Sequence, residues 1–535
     1  MTTVRCVSLL VAILAGSAGA EVRLPNIISD GMVLQQKTPT PIWGKAAVGE
    51  KVTVTFAGQT KTATVGKDRR WSVTLDPLDA SASPRVMTIN DIKISDVLVG
   101  EVWLASGDGG MEFNLAELPE EEKKIAFAQK GDKLLRMYCV AEHYQVPMGK
   151  FFKGDKDAGA WSRADQFIPK FQKGLIEPYH SHSAVGFFFA MKLQKQLGVP
   201  VAVLDSSMFR NGIPRWISDV GYQQGGTEEY RKIVRYRPVS EQLQGRLLDM
   251  FKGVGAKSAQ WAAKAELAAE NGEYNPFPYS TNSKIRALNA VYFGMIHPMV
   301  PYAFKGTVWY HGECDVNERN EKQSYYDGLK TLVNGRRKLF GNPEMPFLVL
   351  MLDPNKIYTP RNSDDAGKRK MCDRIWSAQM RVADEIEGVS AIPIHDTLDI
   401  KKEARYYRTP THKLAVGLRV ADNALKLVYG KQFPAGGPKF AGAKLDGDKV
   451  IVSFKGIDKQ LSVRGGGELV WFELAGADKK FVKAQGVISG RTVIVTAAEI
   501  ATPKFVQMGW RNDAAPLLTD KNGLPAYPFG PQSVK

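Results

Sequence analysis

Cysteine is scarce in this chain, with four residues among 535, and one of them, Cys6, sits in the apolar N-terminal run. The other three, Cys139, Cys314 and Cys372, show no CxxC spacing, which excludes a disulfide framework and a zinc signature while leaving a single disulfide open. Cohesion must therefore come mostly from packing. Long hydrophobic runs are lacking beyond the N-terminus, so no later segment can span a bilayer as a helix. Internal repeats, low-complexity tracts, zinc fingers, helix-turn-helix patterns and aromatic RNA-binding motifs are absent as well, and nucleic acid is set aside as a partner. His180 and His182 are the one pair close enough in sequence to suggest a metal; they read as structural, and no metal or cofactor is expected.

What is present describes an ordinary globular protein. Hydrophobic residues make up 44% and charged residues 24%, enough to bury sizeable cores, and a chain of this length implies two or three domains. The opening "MTTVRCVSLLVAILAGSAGA" has Arg5, an apolar run from Val7 to Leu14 and an Ala-Gly-Ala exit, which predicts a signal peptide over residues 1–20 and a secreted or periplasmic protein. Cys6 lies inside the apolar run, so a lipoprotein anchor is not indicated. The net charge of +16 suits acidic partners such as anionic glycans or a cell envelope, although the basic residues are spread along the chain as on a solvated surface.

The pattern changes twice along the chain. Residues 21–95 look all-β: "EKVTVTFAGQTKTATV" alternates Val52, Val54 and Phe56 with polar residues on one side of an Ala57-Gly58-Gln59 turn, a hairpin signal. From 96 to 430, apolar runs such as "PVAVLDSS", "TVWYHGE" and "PFLVLML" alternate with helical stretches, the clearest being "SAVGFFFAMKLQKQLG" with Gly198 as its stop. Strands separated by helices imply a parallel sheet with ligands at the carboxyl ends of its strands. Residues 431–535 return to β in "DKVIVSFKG", "ELVWFELAG" and "TVIVTA".

Three strand exits of the middle region carry polar residues: "LASGDGGME", "VLDSSMFRNG" and "WYHGECD". Sites on such scaffolds are built from loops of this kind, so the three are expected to converge. Asp108 among glycines is either a turn residue or a presented carboxylate. His311 and Glu313 fall on the same side of an extended chain and could share a pocket. Ser106, Ser206 and Ser207 are nucleophile candidates without a histidine or acid at a diagnostic spacing. Arg210 with Asn211 could hold a carboxylate or acetamido group. The run "KKEARYYRTPTHK" places Arg405, Tyr407 and Arg408 in one turn-rich segment.

These segments together resemble the secreted sialate O-acetylesterase family, carbohydrate esterases on the SGNH-hydrolase scaffold. The likeness rests on "LPNIISDGMVLQQKTPTPIWGKAAVGEKVTVTFAGQ", "VLVGEVWLASG", "HSAVGFFFAMKLQKQLGVPVAVLDSS", "MIHPMVPYAFKGTVWYHGE" and "GLPAYPF", in that order. It implies an α/β fold, an SGNH-hydrolase-like parallel sheet flanked by helices, between N-terminal and C-terminal all-β domains. It also implies a Ser-His-Asp site. Matching the family's nucleophile loop, close to SGQSNM, to Ser106–Met111 puts the nucleophile position at Gly109. Counting back from Val416-Gly417 through Lys413 and Pro410 puts the histidine at Thr409 and the acid at Tyr407; aligning Asp399 instead retains the acid but not the histidine. The family's "GGT", which looks like part of the oxyanion hole, is replaced by Phe209-Arg210-Asn211, and its "WYQGESN" by "WYHGECD".

Acyl transfer needs a nucleophile, a base and oxyanion donors. The substitutions therefore point first to a non-esterase relative that binds a sialylated or otherwise acidic glycan through Arg210, Asn211, Arg405 and Arg408. A second reading is changed carbohydrate chemistry, glycoside hydrolysis or polysaccharide lysis, using Asp108, His311, Glu313 and Tyr407. A third is a working O-acetylesterase in which Ser106 or Ser206 recruits His311 or His395.

Overall fold

The computed structural model describes residues 22–140, 159–172, 182–234, 289–316, 324–355, 358–359, 364–398, 412–457 and 460–535. The expected signal peptide, His180, Asp399, Arg405, Tyr407, Arg408 and Thr409 lie outside the described residues. No helix of the described residues is long and apolar enough to cross a membrane.

A seven-strand central path organises the middle of the molecule. In chain order its strands are β1 (Ile92–Gly107), β2 (Leu135–Cys139), β3 (Ala160–Arg163), β4 (Val201–Ser207), β5 (Gly306–Tyr310), β6 (Phe347–Leu350) and β7 (Val389–Ile392). Their spatial order is β7-β6-β5-β1-β4-β2-β3. Every neighbouring pair is parallel except β2 with β3. The chain builds β2 and β3 on one side of β1, returns to place β4 beside it, and then crosses to β5, β6 and β7 on the other side, so the strand order reverses at β1, where α/β sheets open a crevice. In register, Gly107 stands beside both Ser207 and Tyr310, and Tyr310 beside Leu350, which brings the exits of four strands level.

The strands read as apolar runs because helices cover both faces of the sheet: β4 and β5 are buried along their whole length. One covering helix is α1 (Ala184–Leu197), where the sequence places it. The Ser183 hydroxyl accepts from Gly186 N at its start, and Gly198 ends it at φ +68°. The others used below are α2 (Tyr325–Leu339), α3 (Ser377–Glu385) and α4 (Lys413–Leu427).

The predicted hairpin forms with strands Lys51–Phe56 and Gln59–Thr64. Ala57 and Gly58 both take positive φ, 50° and 81°, the two-residue turn whose twist matches the strands it joins. The switch from all-β to α/β pattern at residues 95–96 falls inside β1, a continuous strand of 16 residues. Its first half pairs antiparallel with Ser81–Ile89 and parallel with Val33–Gln35, and its second half is the middle of the parallel sheet. One apolar core accordingly runs from Ile42, Val54 and Ile89 to Trp309 and Trp376.

At the C-terminal end, a seven-stranded antiparallel sheet from Lys439–Asp446 to Phe529–Ser533 closes around Val450, Val452, Phe472, Val493 and Val506. It is tied to the middle region by Tyr527, whose hydroxyl donates to Ala391 O at 2.6 Å. A second tie is the buried carboxylate of Asp396, which pairs with both Arg419 and Arg464.

Candidate functional site

The three polar strand exits do converge. Leaving β1, the chain turns at Gly107, whose φ of +152° and 1.9 Å approach of a would-be Cβ to Tyr310 O leave no room for a side chain. Asp108 N then donates to Tyr310 O at 3.0 Å, and Met208 N, just past β4, donates to Gly107 O at 2.9 Å.

Asp108 is fully buried at this junction. Its Oδ1 accepts from Gly109 N at 2.9 Å and from Arg210 N at 2.7 Å, joining the first loop to the second. Glu313, also buried, accepts from Gly110 N at 2.9 Å, joining the first to the third. Asp315 receives Ile213 N at 3.1 Å, joining the third to the second. Three carboxylates thus hold four backbone N–H groups of the loops in which the family likeness places the nucleophile and oxyanion donors.

These acids are crowded. Burial pushes the Asp108 carboxyl up to about 7, against the Arg210 and Gly109 N–H bonds and the nearby Cys314 thiol, which favour its ionised form. Burial also raises Glu313 well above the carboxylate range, and the charges of Asp108 and Asp353 raise it further. Asp353, just beyond β6, is a third buried acid, raised by its burial; the Tyr310 hydroxyl donates to its Oδ1. Among the described residues, Lys413 at the start of α4 is an ammonium that faces this group: its Nζ lies 5.4 Å from the Tyr310 ring centre and 5.0 Å from that of Phe113. Its pKa is lowered by burial and supported by Asp353 and Glu313. Burial thus disfavours the charged form of all three acids. Among the described residues, Asp108 Oδ2, Glu313 Oε2 and Asp353 Oδ2 are enclosed without an oxygen or nitrogen donor.

His311 is drawn elsewhere. The chain leaves its extended path at Gly312, φ +147°, so His311 and Glu313 face different partners. The imidazole is stacked between Trp309 and Tyr325. Its Nε2 lies 2.7 Å from Asn211 O and its Nδ1 3.3 Å from the Tyr325 hydroxyl. Burial lowers its pKa to about 3, with Arg336 adding to the effect, so it is neutral. Asn211 is buried too, and its amide is used within its own loop: Nδ2 donates to Phe209 O at 2.9 Å and Oδ1 accepts from Arg215 at 2.8 Å. Arg210 takes φ +64° and is exposed, its guanidinium 4.8 Å from the Phe209 ring centre.

Ser106 is fully buried and its hydroxyl accepts from Arg336 at 3.1 Å; Ser206, equally buried, donates to Met295 O at 3.2 Å. Burial and the neighbouring acids push the Cys314 thiol far up, which leaves it un-ionised and unreactive. Cys314 and Cys372 are free thiols. Among the described residues, neither ring nitrogen of the buried His395 has a hydrogen-bond partner, and His182 packs edge-on to Phe167. Among the described residues, no group of three His, Cys, Asp or Glu side chains is placed to hold a metal ion.

Two members of the acid cluster escaped the sequence reading. Asp353 follows "PFLVLML" directly, and the rule that singled out the other strand exits would have found it; Lys413 served only as an alignment marker.

Residues 285–426 match the family of carbohydrate esterases described as sialic acid-specific acetylesterases. Sialate O-acetylesterase of Rattus norvegicus is 25% identical over 380 residues, 67% of this chain and 65% of its own length. The Homo sapiens protein of that name is 24% identical over 375 residues, 65% of this chain and 60% of its own length. The matched stretch therefore spans a little under two thirds of these relatives. Among solved structures, a carbohydrate acetylesterase from Xanthomonas citri superimposes with a TM-score of 0.71 at 25% identity, over 95% of this chain and 99% of that one. The chain is thus similar to sialate O-acetylesterases over about two thirds of its length and shares the fold of a carbohydrate acetylesterase over 95% of it.

Proposed function

We propose that this protein is an exported, carbohydrate-binding relative of the sialate O-acetylesterases that no longer performs Ser-His-Asp acyl transfer. One observation carries the reading. The Asp108 carboxylate accepts from the N–H of Gly109, at the nucleophile position, and from the N–H of Arg210, in the segment that replaces the family's "GGT". A tetrahedral intermediate needs free donors for its developing oxyanion. Here a buried acid of the chain itself takes that place, beside a residue with no side chain.

The same bonds weigh against changed chemistry at Asp108 and Glu313. Each holds loop backbone, both are enclosed, and a general acid or base must reach the proton it transfers. Ser106 and Ser206, bonded to Arg336 and Met295 O, offer little to a relocated esterase. The outward-facing element is the cationic Arg210 on Phe209, suited to an acidic sugar, with Arg405 and Arg408 as further candidates for that contact.

The test is an activity and binding panel on the mature chain. No acetate above background is expected from O-acetylated sialic acid, and saturable binding of sialyllactose is expected by calorimetry, weakened at least fivefold in Arg210→Ala. Acetate release would overturn the non-esterase reading. New reducing ends or unsaturated sugars from acidic polysaccharides would replace it with a hydrolase or a lyase.

A further inference from the structure

Among the described residues of the middle region, two arginines are almost wholly enclosed, and the fold treats them differently. Arg136, 1% exposed, donates to Gly31 O, to Asp96 O and to the Asp96 carboxylate, all within 2.8 Å, so its charge and its N–H groups are answered. Arg336, 2% exposed on α2, has one such bond, from Nη2 to the Ser106 hydroxyl at 3.1 Å. Its Nε and Nη1 have no acceptor, and no carboxylate pairs with it among the described residues. Its guanidinium lies 5.0 Å from the centre of the Trp309 ring, which stands edge-on to Trp216 at 5.6 Å. The Trp216 indole N–H is likewise without an acceptor.

A guanidinium cannot shed its proton at ordinary pH. Enclosing one without a counter-charge costs several kcal/mol, and a ring face offsets only about 2 kcal/mol of that. A water molecule would satisfy an N–H but leave the charge. A small monovalent anion would do both. The surroundings suit one: the neighbours are uncharged rings and a serine whose hydroxyl hydrogen remains free to turn toward an acceptor. An enclosure that leaves Arg336 only 2% exposed favours a small ion over a large one.

We propose that Arg336, with Ser106, holds a halide-sized anion inside the fold, behind the loop that begins at Gly107. The anion would neutralise the guanidinium and fix the end of β1 from within, a role separate from carbohydrate binding at the surface.

Bromide tests this directly on the full mature chain. Crystals soaked in sodium bromide and measured at the bromine edge should give an anomalous peak about 3.3 Å from the Arg336 nitrogens. In parallel, replacing sodium gluconate by sodium chloride at constant ionic strength should raise the unfolding temperature saturably by about 2 °C. R336M should abolish that rise, and Ser106→Ala should move its midpoint to higher chloride. Density for water alone at Arg336, or an undiminished chloride effect in R336M, would overturn the proposal. Should R336M fail to fold, the bromide measurement on the unaltered chain decides by itself.

Discussion

Replacing Asp108 by asparagine tests the electrostatic account of the loop at one atom. Asparagine keeps the Oδ1 acceptor used by Gly109 N and Arg210 N and removes the ionisable oxygen. In the native protein the Asp108 carboxyl titrates near 7 rather than 3.8 because burial penalises its charge. The folded state thus holds a proton that the unfolded chain has already released, so this group's contribution to stability falls as pH rises from 3.8 to about 7 and is level above that. At about 1.36 kcal/mol per unit, a change from about pH 5 to about pH 8 removes roughly 2.7 kcal/mol. Proton sharing with Glu313 lowers the expected figure to about 2 kcal/mol. Asp205, raised to about 6 by its own burial, adds a loss that both proteins share. Urea unfolding followed by tryptophan fluorescence at the two pH values should show the native chain losing about 2 kcal/mol more than D108N. Equal losses would mean that Asp108 is ionised throughout, and D108N being less stable than the native chain at about pH 8 would mean that its charge supports the loop.

Other substitutions test neighbouring steps. Gly109→Ser is expected to release no acetate from O-acetylated sialic acid, because the N–H groups it would need are already bonded to Asp108; turnover would refute this. Gly110→Ala should cost about 2–3 kcal/mol in urea unfolding, since its Cβ would come within 2.5 Å of the enclosed Tyr310 ring, and a loss under about 0.5 kcal/mol would show that the ring yields. Glu313→Gln should keep the bond from Gly110 N and leave stability within about 1 kcal/mol, whereas Glu313→Ala should lose about 2–3 kcal/mol by freeing that buried donor. Asp396→Asn should cost about 3 kcal/mol by leaving Arg419 and Arg464 without their acid. Arg419 keeps the Asp396 carboxyl below 3.8 despite its burial, so this stability is present above that pH and lost as pH falls beneath it; acid unfolding of D396N should lack that component.

Periodicity and punctuation made much of the fold legible. The Lys51–Thr64 hairpin, the end of α1 at Gly198 and the strands of the C-terminal sheet follow from alternation, a glycine stop and apolar runs. The meeting of the three loops was legible too, because strand exits of a parallel sheet share one edge. The continuity of β1 was not: "ISDVLVGEVWLASG" has no turn signal at its middle, and only a change in flanking pattern suggested a boundary. Individual roles were harder still. Asn211 resembles a ligand-holding amide, but Arg210 takes φ +64° and the loop curls so that Asn211 bonds its own backbone. His311 resembles a base, yet Gly312 turns the chain in the third loop and leaves the imidazole between two rings. Such outcomes depend on torsions and on distant neighbours, which residue type and spacing do not encode.

The length of β1 limits how this protein could have been assembled from parts. A strand that begins in one sheet region and ends in another cannot be cut between them without exposing an unpaired, apolar edge on both fragments. A fragment beginning at residue 96 should therefore aggregate, while one that starts at residue 22 should not. The N-terminal β region is in that sense no portable cassette: exchanging it would require exchanging the strand that ends at the candidate site as well.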